Sequence, residues 1–334
     1  MTTISRAEDA APEGREGGEA SAEVTHSLII PVYRNAENVA ELVEALGELA
    51  TRIGPSFEVV LVVDGSPDAS GPMLLERQKD FPFRSKIAFH SRNFGSFTAI
   101  RTGLELASGR YFAVMAADLQ EPPEVVLAFF DLLARDGADV VFGQRAERND
   151  PFLRTLASNT FWALYRRLVV PDIPPGGVDV FACNRAVRDA VLDIAEPNSS
   201  LVAQLFWVGY RRAFVPYARR ERRHGTSAWN FSRRLRYMMD SIFSFSDAPI
   251  MLVLWIGAFG CLLSLVLGVV TLVAKLAGLI TVSGYTAIIL LILFFGSSSL
   301  AVQGILGCYL WRAFENTKRR PLRLISRVVE KEGR

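Results

Sequence analysis

The sequence predicts an α/β protein: a mostly parallel sheet domain, then an amphipathic surface helix, then a two-helix transmembrane hairpin. Three observations carry this. From Ser27 to about Gln144, short apolar runs alternate with longer stretches whose apolar residues recur at helical spacing, the signature of βα units with a parallel sheet covered on both faces. Ile250–Ala274 and Tyr285–Trp311 contain no charged residue, and each exceeds the roughly 20 residues that cross a bilayer as a helix. Ser232–Asp247, just ahead of them, is amphipathic with Arg233, Arg234 and Arg236 at its start, as suits a helix lying on a membrane surface.

Composition agrees. Half of the 334 residues are hydrophobic, more than one soluble core needs. The net charge of +2 is too small to indicate a nucleic-acid partner. Cys183, Cys261 and Cys308 have no metal-ligand spacing and fit a reducing compartment or apolar packing.

In chain order, residues 1–25 are rich in Ala, Glu and Gly and carry no apolar periodicity, which predicts a disordered tail. The tail has no apolar h-region, so the following domain is expected in the cytoplasm. Ser27–Val32, Glu58–Val63, Lys86–His90, Tyr111–Met115 and Asp139–Phe142 read as strands, and Glu37–Arg52, Ala69–Lys79, Ser96–Ala107 and Pro123–Arg135 as the helices between them. No Gly-x-Gly-x-x-Gly follows the first strand and no Walker loop occurs, which excludes the commonest dinucleotide and P-loop sites.

Polar groups gather where these strands end. The first strand leads into Tyr33, the second into Asp64-Gly65-Ser66-Pro67-Asp68, and the third into Arg92-Asn93-Phe94-Gly95, an anion site ahead of a helix. The fourth leads into Ala116-Ala117-Asp118-Leu119-Gln120-Glu121-Pro122-Pro123-Glu124. In open α/β sheets, ligands collect at this strand edge. Asp118 there is either a hard oxygen ligand for a divalent ion on a diphosphate or a cap for the next helix. Asp64 either meets a base or ribose or fixes its Gly-Ser turn.

Beyond Gln144 the alternation stops. Phe152–Val170 has helical period and either lies in a membrane interface or packs as an amphipathic helix. Pro171 to Asp179 contains three prolines and two glycines, a rigid loop that positions Asp179. Arg211, Arg212, Arg219, Arg220, Arg222 and Arg223 precede Gly225 and Ser227, forming either a phosphate clamp or solvated juxtamembrane charge. Arg312, Lys318, Arg319, Arg320 and Arg323 follow the second apolar run, while Leu276–Gly284 between the runs is uncharged. The positive-inside rule then makes both hairpin ends and the sheet domain cytoplasmic, in a multi-pass protein of the inner (plasma) membrane. Glycines and serines along both runs give small faces for packing within the hairpin or between chains.

The stretch from about Ser27 to Arg323 resembles the polyprenyl-phosphate glycosyltransferases of glycosyltransferase family 2, relatives of dolichol-phosphate mannose synthase. The resemblance is carried by Pro31-Val32-Tyr33, Asp64-Gly65-Ser66 with Asp68, Arg92-Asn93-Phe94-Gly95, Asp118-Leu119-Gln120 with Pro122-Pro123-Glu124, Gly225-x-Ser227 and Phe245-Ser246. It implies a GT-A fold over 26–231, an interface helix over 232–247, a hairpin over 248–312 and a basic tail over 313–334. It implies inverting transfer of a sugar from a nucleotide-sugar to a polyprenyl phosphate, with Mg or Mn on the diphosphate. By resemblance Pro31, Tyr33, Asp64 and Asn93 belong to the nucleotide-sugar pocket, and Asp118 and Gln120 handle metal and diphosphate. Asp179 lies near the anomeric carbon, and Arg219, Arg222 and Ser227 meet phosphate, with Arg222 counted among the catalytic groups. The chain departs from the family pattern at Ala116 (usually Asp), Val63 (Asp), Phe181 (Arg) and Ala228 (Lys). Two alternatives remain: a non-catalytic membrane-bound relative, suggested by Ala116 and Val63, and a polysaccharide synthase, whose Gln-x-x-Arg-Trp motif the chain lacks.

Overall fold

The computed structural model describes residues 23–145, 162–174, 177–196, 199–220, 231–278 and 284–333. Six strands point one way: β1 (His26–Val32), β2 (Phe57–Val63), β3 (Arg84–His90), β4 (Tyr111–Val114), β5 (Val140–Arg145) and β7 (Arg212–Tyr217). Two run against them, β6 (Phe181–Asn184) between β4 and β5, and β8 (Ile325–Lys331) beside β3. The order across the sheet is β7-β5-β6-β4-β1-β2-β3-β8. The order therefore reverses between β1 and β4, the kind of switch point that opens a crevice at the carboxyl ends of strands.

The strands are apolar on both faces because helices cover both. Leu28, Ile30 and Val32 of β1 face a core shared with α1 (Val39–Ile53), α2 (Ser70–Gln78) and α4 (Pro123–Ala134). Ile29, Val60 and Val62 face the opposite core, shared with α3 (Ser96–Leu106), α5 (residues 162–168), α6 (Arg185–Asp193) and α7 (Leu201–Trp207). The predicted strands and helices of the first 145 residues are all present, with ends shifted by at most three residues, the largest shift being at the end of β5.

α8 (Phe231–Phe245) lays Tyr237, Ile242 and Phe245 on this second core. A hydroxyl network fastens it: Ser241 Oγ lies 3.2 Å and Tyr237 Oη 3.3 Å from Tyr165 Oη, and Ser200 Oγ lies 2.8 Å from Tyr237 Oη. Two long helices follow, α9 (Ala248–Leu276) and α10 (Tyr285–Thr317). Among the described residues no single helix is long and apolar enough to cross a membrane; the pair Tyr237–Phe245 and Ala248–Gly257, bent by 74°, has that length and composition only when taken together.

The structure differs from expectation at the C-terminus. Within the stretch read as a basic tail, Ile325–Lys331 forms β8 on the edge of β3. Its residues mix Arg, Glu and Lys with Ile and Val, and side-chain hydrogen bonds hold it to the domain: Gln78 Nε2 donates to Val329 O at 3.2 Å, and Lys331 Nζ donates to Lys79 O and Phe81 O at 2.7 Å each.

Candidate active site

The loops after β1, β2 and β3 are bound into one platform. Arg34, Asn35 and Ala36 donate backbone N–H groups to Ser66 Oγ (2.8 Å), Ser70 Oγ (2.9 Å) and Asp68 Oδ2 (3.0 Å). Burial acts to raise the Asp68 carboxyl, but hydrogen bonds from Ser66, Ser70 and the Ala36 and Ser70 amides outweigh it and hold the group below its ordinary value. Tyr33 and Pro31 border this platform, both part-exposed, with the Arg34 guanidinium 5.5 Å from the Tyr33 ring centroid.

Asp64 is 2 % exposed. Its Oδ1 accepts the Phe94 N–H and its Oδ2 the Gly95 N–H, each at 2.8 Å, while His90 Nδ1 lies 2.7 Å from Oδ1. The carboxylate expected to meet a base or ribose is thus engaged by the protein, and what it presents to a ligand is the Arg92–Gly95 loop that it holds. Asn93 stands exposed on that loop. Gly65, at φ 58°, is where the two loops meet, since a Cβ there would overlap the Arg92–Asn93 backbone.

The fourth strand end carries the Asp118 turn. Asp118 Oδ1 lies 3.4 Å from the Gln120 N–H, and Leu119 between them has φ 52°, a left-handed conformation that branched residues rarely hold outside functional turns. Glu121 follows, 3 % exposed, before Pro122 and Pro123 start α4. Burial first, then Asp179 and Asp118, raise its carboxyl to about 7, against Arg219 and the Ala116 amide, which lower it. Its Oε2 is buried and has no hydrogen-bond partner among the described residues.

Asp179 reaches this edge because β6 runs backwards: the residues entering β6 lie beside the ends of β5 and β7. Arg145, the last residue of β5, pairs with Asp179, and Tyr217, the last of β7, donates its hydroxyl to Asp179 Oδ2 at 3.0 Å. The loop itself turns at Gly177, φ 75°, where a Cβ would strike the Trp162 ring.

Beyond β7 the chain crosses to the Asp118 turn. Arg219 Nη2 donates to Gln120 Oε1, and the Arg220 N–H donates to Gln120 O at 2.8 Å. The Arg220 side chain comes within 3.7 Å of Glu124. Asp118, Gln120, Asp179 and Arg219 are therefore assembled at one place, with Tyr33, Asp64 and Asn93 on the adjoining platform. Arg222 and Ser227 lie outside the described residues. The sequence reading gave no role to Glu121, Arg145 or Tyr217. A Glu directly before Pro-Pro at a strand edge was a usable signal for Glu121; nothing local marks Arg145 or Tyr217, which matter only once β5, β6 and β7 are adjacent.

Among the described residues no three Asp, Glu, His or Cys side chains form a metal cluster. The donor set is nonetheless the hard-oxygen kind that Mg2+ and Mn2+ take when substrate phosphates supply further ligands, since such ions need only one or two protein carboxylates.

Carboxylates and guanidinium groups thus gather at the switch-point edge of the α/β sheet. The chain belongs to glycosyl transferase family 2, whose pattern residues 27–194 match, and it is a glycosyltransferase. An uncharacterized glycosyltransferase of Synechocystis is 32% identical over 301 residues, covering 90% of this chain and 94% of that one. The putative glycosyltransferase CsbB of Bacillus subtilis is 35% identical over 302 residues, 90% of each chain. The bactoprenol glucosyl transferase of Shigella phage SfV is 29% identical over 306 residues, 91% of this chain and 99% of that one.

Proposed function

We propose that this glycosyltransferase moves a sugar from a nucleotide-sugar to a polyprenyl phosphate, with inversion, at the cytoplasmic face of a membrane crossed by α9 and α10. The observation that carries the reading is the bond from Arg219 to Gln120, which puts a guanidinium beside the turn bearing Asp118. A donor diphosphate and an acceptor phosphate repel each other, so a site that joins them needs fixed positive charge between them. The bactoprenol glucosyl transferase likeness points to the same acceptor.

A phosphate monoester has a second pKa near 6 and is already an anionic nucleophile at neutral pH, so no general base is required. Asp118 would hold Mg2+ or Mn2+ with the donor diphosphate, where the ion acts as a Lewis acid for the departing nucleotide. Asp179, fixed by Arg145 and Tyr217, stands beside the reacting carbon and orients the sugar. Arg219, with Arg222 and Ser227 of the following segment, grips phosphate. The Asp64-bound loop and Tyr33 border the nucleoside. Direct attack of the lipid phosphate inverts the anomeric centre.

Support for the membrane hairpin comes from sequence and exposure together. α9 and α10 have 29 and 33 residues, about 43 and 50 Å at 1.5 Å per residue, against roughly 30 Å of hydrocarbon. Leu254, Trp255, Phe259, Ile292, Leu306 and Leu310 are exposed along them, and the full runs Ile250–Ala274 and Tyr285–Trp311 are uncharged. Small residues on both runs also suit homo-oligomer packing. The test is direct: full-length protein in detergent, incubated with undecaprenyl phosphate and a panel of nucleotide-sugars plus Mn2+, should yield a lipid-linked sugar by mass spectrometry. Free sugar or no product from every donor would overturn the acceptor assignment.

A further inference from the structure

We propose that Glu121 supplies a second carboxylate oxygen to the divalent cation held by Asp118; this rests on the metal reading of the same site given above. The geometry is unusual for a structural glutamate. Its side chain is nine-tenths or more buried, with the residue 3 % exposed. The Ala116 amide is the backbone donor to its carboxyl, and Oε2 is buried without a hydrogen-bond partner among the described residues. The groups acting on it electrostatically are Asp179, Arg219 and Asp118, the same groups that make up the candidate site.

A buried carboxyl oxygen without a donor is a poor arrangement for an isolated protein. Asp179 is balanced by Arg145, whereas Glu121 sits near two carboxylates and, among the described residues, Arg219 is the cation opposing them. A divalent ion beside Asp118 supplies the missing positive charge and gives Oε2 a partner. Asp118, half-buried, and Glu121, buried, lie on either side of the left-handed turn at Leu119 in the chain and are the two carboxylates that would hold the ion. Pro122 and Pro123 fix where Glu121 emerges, because they hold the start of α4.

The experiment uses full-length protein in detergent with UDP as the diphosphate probe. Mn2+ is titrated in and its free concentration read by electron paramagnetic resonance, while UDP binding without metal and thermal unfolding report an intact site. E121Q keeps the shape and a neutral donor but loses the anionic oxygen. It should weaken Mn2+ binding tenfold or more, with UDP binding alone and unfolding temperature unchanged. Wild-type Mn2+ affinity in folded E121Q would overturn the proposal and leave Glu121 as a brace for its turn. D118N separates the two levels: if it too binds Mn2+ like wild type, the metal reading itself fails; if D118N loses Mn2+ and E121Q does not, only the role of Glu121 fails. Should E121Q lose UDP binding, E121D decides by the same titration, since its carboxyl is withdrawn by one methylene; unchanged Mn2+ affinity there sinks the idea.

Discussion

At the scale of single residues, neighbours of like chemistry have different work. Arg219 and Arg220 are adjacent, yet Arg219 turns its guanidinium to Gln120 while Arg220 contributes its backbone there and its side chain to Glu124. A lysine is a point charge and cannot reproduce a planar, bidentate grip. Arg219→Lys should therefore lose about 1.5–3 kcal/mol of transition-state stabilisation, roughly ten- to a hundredfold in kcat/KM with the lipid acceptor varied. Arg220→Lys should change it little, and equal, salt-sensitive losses in both would reduce the segment to a solvated basic face. Asp68 makes a second case. Its carboxyl is held below its ordinary value by the hydrogen bonds that join the first two loops. A depressed folded-state pKa stabilises the fold above the unfolded value and ceases to do so as pH falls through the folded one. Asp68→Asn should thus lower the urea midpoint at pH 7, and its gap to wild type should narrow below the ordinary value of 3.8; a gap independent of pH would show that shape and not charge matters.

At the scale of elements, legibility followed locality. The βα alternation up to Val140–Arg145 was readable because each strand is an apolar run buried on both faces and each helix has a one-sided stripe. β6, β7 and β8 were not. Phe181–Asn184 is only four residues long, Arg212–Tyr217 includes Pro216, and Ile325–Lys331 mixes charge with Val; each becomes a strand because a neighbour's edge is open to it. The same limit applied to the site. Asp118 and Asp179 stood out at a strand end and after a rigid loop, but the partners of Asp179 come from β5 and β7, a pairing set by an antiparallel insertion that no local pattern reveals. β8 offers the element-scale prediction. Ending the chain after Leu324 removes the Gln78 bond to Val329 and both Lys331 bonds, at about 1 kcal/mol each. The unfolding temperature should drop by roughly 6–12 °C, and the bared β3 edge should promote association on gel filtration. An unchanged unfolding temperature would mean the strand is an ornament of the sheet.

At the scale of the whole molecule the chain makes a closed circuit. It leaves the sheet after β7, brings Arg219 beside Gln120, and resumes in α8, whose Tyr237 ring lies tilted against Phe97 at the start of α3, 5.8 Å between centroids. After α9 and α10 it returns, with Arg312 donating to Asp240 of α8 at 2.8 Å, Arg323 pairing with Glu105 of α3, and β8 closing on β3. Arg312, Arg323 and β8 thus fasten the chain beyond α9 to the domain that bears the active edge. Under the proposed function this circuit sets the height of that edge above the membrane, and so the reach of a lipid-borne phosphate into it. The Arg312–Asp240 pair is the place to test this, since it ties the second long helix to α8 and its side chains are only 19% and 29% exposed. Arg312→Ala and Asp240→Ala should each lower transfer to membrane-embedded polyprenyl phosphate by about fivefold, the equivalent of about 1 kcal/mol, with the donor KM unchanged. The double variant should be no worse than Arg312→Ala, which also removes the contacts of Arg312 with Ser244 and the Phe243 ring, because the Asp240 change then has no partner left to lose. A short, water-soluble isoprenyl phosphate reaches the site without regard to membrane height, so its turnover should hold. If long and short acceptors lose activity equally, the pair serves the fold of α8 alone, and the active edge does not depend on the hairpin for its position.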